Sequence, residues 1–258
     1  MTGVNDTRPA AVAGAFYPGE PRELAAVVDR LLAGTTPAPP NKVKALVVPH
    51  AGYIYSGPIA ASAYGRLVGR AIERVVLLGP AHFVHVEGAV LPGARALATP
   101  LGTISVEAPA GLPSSVKAHA REHSLEVQLP FLQRLLSGFR LVPLAVGEAS
   151  PEAIAELLER LWGGDETLIL ISTDLSHYLP YETARSVDAR TAEAIVALDG
   201  AAIEDGQACG AVPLRGFLLA ARRRGLVAHQ LDLRSSGDTA GDKGRVVGYG
   251  AFEFEAAS

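Results

Sequence analysis

Lys44–His50 reads KALVVPH and Arg74–His82 reads RVVLLGPAH. Each is a short, unbroken apolar run that stops at proline and then delivers a histidine. Runs of this length without alternating polar residues read as strands buried on both faces. Arg140–Val146, Thr167–Ser172, His229–Leu233 and Val246–Phe254 have the same character. Between them lie stretches with apolar residues at helical spacing: Arg22–Leu32, Pro58–Val68, Ser124–Leu136, Pro151–Leu161, Tyr181–Leu198 and Val212–Arg224. Ser150 before Pro151 is an N-cap followed by a first-turn proline, and Glu152 favours the same helix start. Strands alternating with helices predict an α/β fold: a central, mostly parallel sheet with helices on both faces. Leu91–Glu107, with Gly93, Pro100 and Gly102, reads as an extra β hairpin beside it. Thr35–Pro40 (TTPAPP) reads as a short loop before the first main strand.

Composition narrows the function. The chain has 258 residues, 48% hydrophobic and 19% charged, which excludes a disordered chain and suits a single domain over residues 1–258. Its net charge of −4 implies no basic face, so nucleic acid is not an expected partner. No apolar run is long enough to span a membrane, and Met1–Arg8 is polar rather than signal-like. Cys209 is the one cysteine, which fits a reducing, cytoplasmic setting. It reads as a small buried hydrophobe. The basic run Arg222–Arg224 reads as a helix end, where cations favour the dipole.

The histidines carry the functional signal. The first strand runs into His50, the second into His82, Thr167–Ser172 into Asp174 and His177, and His229–Leu233 into Ser235, Ser236 and Asp238. In α/β sheets, ligands bind outside the carboxyl ends of the strands, so topology would gather these residues. Two imidazoles and a carboxylate on a metal leave open positions, the pattern of non-haem Fe(II) sites. The same trio can hold catalytic zinc, and His177 with Asp174 could form a metal-free acid/base site. Arg121–Pro130 (REHSLEVQLP) adds Glu122, His123 and Glu126; on a helix, His123 and Glu126 would share a face, as would Glu122 and Glu126. His123 reads as lining the site, while His85, His119 and His229 read as surface or structural. Tyr53 and Tyr55, in the glycine-bearing stretch His50–Gly57, either line a pocket or pack.

Seven segments together carry a resemblance: RPAAVAGAFYPG (Arg8–Gly19), VVPHAGYIYSGPIAASAY (Val47–Tyr64), VVLLGPAHF (Val75–Phe83), TPLGTISVE (Thr99–Glu107), EHSLEVQLPFLQ (Glu122–Gln133), ISTDLSHY (Ile171–Tyr178) and SSGDTAGDKGRVVGYGA (Ser235–Ala251). They resemble the Memo-like family, whose prokaryotic members are called AmmeMemoRadiSam system protein B. The resemblance implies a fold like the class III extradiol dioxygenases, with a non-haem iron cleft. It implies His50 and His82 as metal ligands, Asp174 and His177 opposite them, His177 as a catalytic acid/base and His123 as a further cleft histidine. Animal members carry a cysteine as third metal residue; here Asp238 stands at that place, a departure that suits Fe(II) more than copper. An oxidoreductase is therefore expected, with Fe(II) as cofactor and copper or zinc as alternatives. A non-catalytic module that binds a peptide or small ligand in the same cleft is the rival reading. The family name implies partner proteins of a radical-SAM pathway.

Overall fold

All six apolar runs form strands. A computed structural model describes residues 6–35 and 43–256; all but the first residue of the Thr35–Pro40 loop lies outside them. In chain order the strands are β1 (Thr7–Arg8), β2 (Val43–Val48), β3 (Arg74–Pro80), β4 (Ala89–Val90), β5 (Ala96–Thr99), β6 (Gly102–Ser105), β7 (Arg140–Val146), β8 (Thr167–Ser172), β9 (His177–Leu179), β10 (Leu226–Ser235) and β11 (Val246–Ala256). The helices are α1 (Pro21–Ala33), α2 (Tyr53–Tyr64), α3 (Val116–Ala120), α4 (Leu129–Leu135), α5 (Pro151–Leu161), α6 (Tyr181–Val196), α7 (Ala211–Arg223) and α8 (Ser236–Thr239).

The main sheet runs β10-β11-β2-β8-β3-β7-β4, with β9 pairing β11 beside it. Alternate residues of the central strands enter two separate apolar clusters. Leu46, Val48, Val75 and Leu77 pack with Leu24 and Val28 of α1, Ile59 and Tyr64 of α2 and Phe131 of α4. Ala45, Val47, Val76 and Leu78 pack with Ile154 and Leu158 of α5, Ile195 of α6 and Phe217 of α7. A strand whose two faces both meet helices has no place for a polar residue, which explains the unbroken runs.

The sheet is mixed, which corrects the expectation of a mostly parallel one. β2, β8, β3 and β7 are parallel to their neighbours, but β11 pairs antiparallel with both β10 and β2, and β4 is antiparallel to β7. The chain between β10 and β11 is too short for the crossover of roughly a dozen or more residues that parallel pairing requires. Two antiparallel steps restore direction, so β10 ends at the same edge as β2. The extra hairpin forms from β5 and β6, with β1 parallel to β5, as a three-stranded sheet.

Two helices depart from the sequence reading. α2 begins at Tyr53, with Gly52 as N-cap, so Pro58 lies inside it rather than at its start. The hydrogen bonds that set this earlier start are Tyr53 N to Phe16 O and Ser56 Oγ to Ala51 O. Glu122–Ser124 is not helical; a 3₁₀ turn at Glu126–Gln128 leads into α4, so no shared helix face joins His123 to Glu126.

Candidate metal centre

β2, β8 and β3 end side by side, and His50, Asp174 with His177, and His82 follow them. His123 arrives on the irregular segment before α4. The ligating atoms of His50, His82 and His123 all lie within 4.8 Å of one another. The His82 and His123 rings stack at 4.6 Å between centroids, and His50 stands edge-on to both, at 5.3 and 5.4 Å.

Hydrogen counting fixes how two of these rings point. Ser172 Oγ donates its single hydrogen to Ser124 O at 2.6 Å and accepts from Gln128 Nε2 at 2.8 Å. It also lies 2.8 Å from His50 Nδ1, so the imidazole must be the donor there. Gln128 is itself oriented by Tyr64, whose hydroxyl donates to Oε1, and by Pro49 O, which accepts from Nε2. His50 therefore presents Nε2 with its lone pair. Glu122 does the same for His82: its carboxylate accepts from His82 Nδ1 at 2.9 Å, from His82 N at 2.6 Å and from Ser124 N at 2.9 Å. Burial alone would raise the Glu122 carboxyl, but these bonds outweigh it and hold its pKa down at about 2. A carboxylate–histidine pair of this kind orients a ligand ring and raises its basicity.

Burial also keeps two of the imidazoles, His50 and His123, neutral. The pKa of His50, 1% exposed, falls well below the ordinary value through desolvation and the neighbouring histidines. That of His123 falls to about 4 by desolvation and by His82. Neutral imidazoles are the metal-binding form.

A cleft of about 540 Å³ opens beside the cluster, lined in part by Phe16, Tyr55, His123, Asp174, His177 and Tyr249. Asp174, 4% exposed, accepts from His50 N at 2.7 Å; desolvation raises its pKa to about 7 against the pull of that bond. His177 Nδ1 donates to Leu175 O at 2.8 Å, leaving Nε2 as an acceptor, and desolvation lowers its pKa. Tyr55 lines the cleft, whereas Tyr53 packs and donates to Val127 O.

Asp238 is not brought into the histidine group. It is exposed, and its carboxylate closes a capping box, accepting from Ser235 N and Ser235 Oγ, while also accepting from Tyr181 OH at 2.5 Å. Burial would raise its pKa, but those donors lower it on balance. An acidic residue in the third helical position after a capping serine turns back to that serine's backbone, so the local chain decides where Asp238 points. His119 is buried and donates from Nε2 to Val90 O, while His85 and His229 each meet a surface glutamate.

Two residues have roles that differ from the sequence reading, Cys209 and Glu126. Cys209 Sγ lies 3.3 Å from His50 Nε2 and accepts from Asp174 N, so it touches the centre rather than simply filling space; burial and the Asp174 charge push its thiol up to about 12. Glu126 is buried, and its carboxylate accepts from Arg8, Ala11 N, Val12 N and Tyr17 OH. That network ties residues 8–17 to the site and sets Phe16 against His123, 4.7 Å between ring centroids. Arg8 and Tyr17 are more than a hundred residues from Glu126, and pairing at that separation is not visible in one sequence.

Residues 8–253 match the profile of the family described as Memo-like protein. The chain belongs to the Memo-like family. A MEMO1 family protein of Ignicoccus hospitalis is 37% identical, the match covering 96% of this chain and 98% of that one. One from Aquifex aeolicus is also 37% identical, over 94% and 97% of the two chains. One from Methanopyrus kandleri is 34% identical, over 96% and 98%. The Memo-like match spans the strands and loops that carry His50, His82, His123, Asp174 and His177. Among the described residues no helix is long and apolar enough to cross a membrane.

Proposed function

We propose that the chain is a metal-dependent enzyme acting on a small molecule, with His50, His82 and His123 as the metal-holding group and His177 as proton acceptor. The convergence of three imidazoles within 4.8 Å beside an open cleft carries this reading. The donor set fits a borderline transition-metal ion: His50 and His82 are oriented by partners on Nδ1, and burial favours the neutral form of His50 and His123. A bound Fe(II) would supply redox chemistry with dioxygen, the dioxygenase-like activity that the family resemblance implies. The extradiol-like reading of the fold belongs with it, supported by a helix-covered sheet whose strand ends carry the histidines. A group of three histidines that no carboxylate joins among the described residues favours a second reading, hydrolysis at zinc; copper also takes imidazole nitrogen.

The side chains have separable tasks. His177, neutral near pH 7 and bare at Nε2, accepts a proton from a substrate hydroxyl in the cleft. Asp174, its pKa raised to about 7 by burial, lines the same cleft and fixes the His50 backbone. Phe16 and Tyr249 contribute aromatic surface to the lining. The test compares wild type, His50→Ala and His177→Gln, prepared without oxygen. His50→Ala is expected to lose metal and turnover; His177→Gln should keep metal and lose turnover by about 10²–10⁴-fold. Turnover only in oxygen supports the iron reading, and turnover without it, restored by zinc, the hydrolase. Ligand affinity unchanged in His50→Ala with no turnover anywhere would leave a binding module.

A further inference from the structure

One cation at the cleft mouth is not used by the chemistry above. Arg245 lies between α8 and β11, exposed, and lines the same cleft as His123 and His177. Its guanidinium sits 5.2 Å over the ring of Tyr178 and makes no ion pair among the described residues. Arg8, Arg66, Arg74, Arg134 and Arg215 by contrast each hold a carboxylate, and no other arginine lines this cleft. Stacking on a ring face leaves the planar N–H edge of a guanidinium open, the edge that matches a carboxylate or phosphate in a two-pronged contact. Tyr178 beneath it has a φ of 59°, a left-handed conformation unusual for a residue with a Cβ and one that marks functional sites.

The rest of the cleft describes the ligand's body. Phe16, Tyr55 and Tyr249 offer ring surface, and a volume of about 540 Å³ is that of a small-molecule site. The charged and titratable groups facing it are His123, His177, Asp174, Asp242 and Arg245. Asp242 accepts from Gly244 N through Oδ1 at 2.7 Å and keeps its negative charge, but no ion pair joins it to Arg245, the arginine of the lining.

We propose that Arg245 is the anion-recognising residue of the cleft, and that the ligand is a planar small molecule bearing a carboxylate or phosphate group. The inference rests on reading this cleft as the substrate site, but not on metal binding. The test measures dissociation constants for benzoate, phenyl phosphate, inorganic phosphate and neutral benzamide, with the full chain and Arg245→Gln, before and after metal removal by chelator. At least one aromatic anion is expected to bind about tenfold or more tighter than benzamide, and to lose that margin in Arg245→Gln with metal content unchanged. Preference for benzoate names a carboxylate ligand, and preference for phenyl phosphate a phosphate ester. Benzamide binding as well as both anions, no aromatic probe binding, an unchanged anion affinity in Arg245→Gln, or inorganic phosphate equalling phenyl phosphate would each overturn the proposal. Discrimination that persists in a protein unable to bind metal would instead count against the metal reading and leave this one standing.

Discussion

At the residue scale, the centre depends on side chains that hold other side chains. His82 Nδ1 has one acceptor, Glu122, and that carboxylate also receives two backbone N–H groups. Glu122→Gln is expected to weaken metal affinity about 10–100-fold without removing a ligand, read by competition with a chromophoric chelator. An unchanged affinity would mean that His82 needs no orienting partner. His50, His82, Asp174 and His177 were legible in the sequence because each follows a buried strand, and strand ends are gathered by topology. Asp238 was legible only as a residue after a strand. Its use as a helix cap follows from backbone dihedrals at Ser235, which composition does not reveal. Cys209 was unreadable for a similar reason: its approach to His50 depends on where the loop before α7 crosses the ends of β2 and β8.

At the element scale, the strands were the clearest, since burial on both faces removes every polar residue from them. Arg140–Val146 and Thr167–Ser172 form strands with those bounds, and Pro151–Leu161 forms a helix with its own. Ser150 caps that helix by accepting from Ala153 N at 3.2 Å, so Ser150→Ala is expected to cost about 1 kcal/mol in urea denaturation. The pairing direction of β10 and β11 was not legible, because it is set by connection length and by which sheet edge is free. Close packing of α5 on α7 was equally hidden. A Cβ at Gly216 would stand 2.4 Å from Ile154 Cβ, so Gly216→Ala should destabilise by roughly 1–3 kcal/mol through forced separation of the two helices. A variant as stable as wild type would show that the α5–α7 contact yields easily.

At the scale of the whole molecule, buried ionisable groups set the pH response. His119 is 2% exposed, and desolvation lowers its pKa to about 4. A depressed histidine contributes stability that is present above its unfolded value near 6.5 and is lost as pH falls toward 4. His119 alone accounts for up to about 3 kcal/mol over that window, because each pH step between the folded and unfolded values is worth about 1.4 kcal/mol. Asp174 acts in the opposite sense: raised to about 7, it favours the fold below the unfolded carboxylate value, and that contribution is lost as pH rises through 7. Between pH 6.5 and 4 these two groups largely offset one another, so the fall of urea midpoints expected in metal-free protein rests on His50 and His123, which are lowered as His119 is; His119→Gln should lessen that fall. The Arg8–Glu126 pair acts at the same scale, since it anchors the segment bearing Phe16 to the site. Glu126→Ala leaves a buried guanidinium unpaired and is expected to cost about 3–5 kcal/mol, seen as a lowered thermal midpoint.

The proposed activity rests on the three imidazoles holding a metal. Elemental analysis of protein expressed and purified without oxygen, wild type beside His50→Ala, tests that directly. The geometry predicts about one transition-metal ion per chain, the stoichiometry of a single His-ligated site, and its loss in His50→Ala. Wild type without metal, or a His50→Ala variant that retains the same amount, would contradict it.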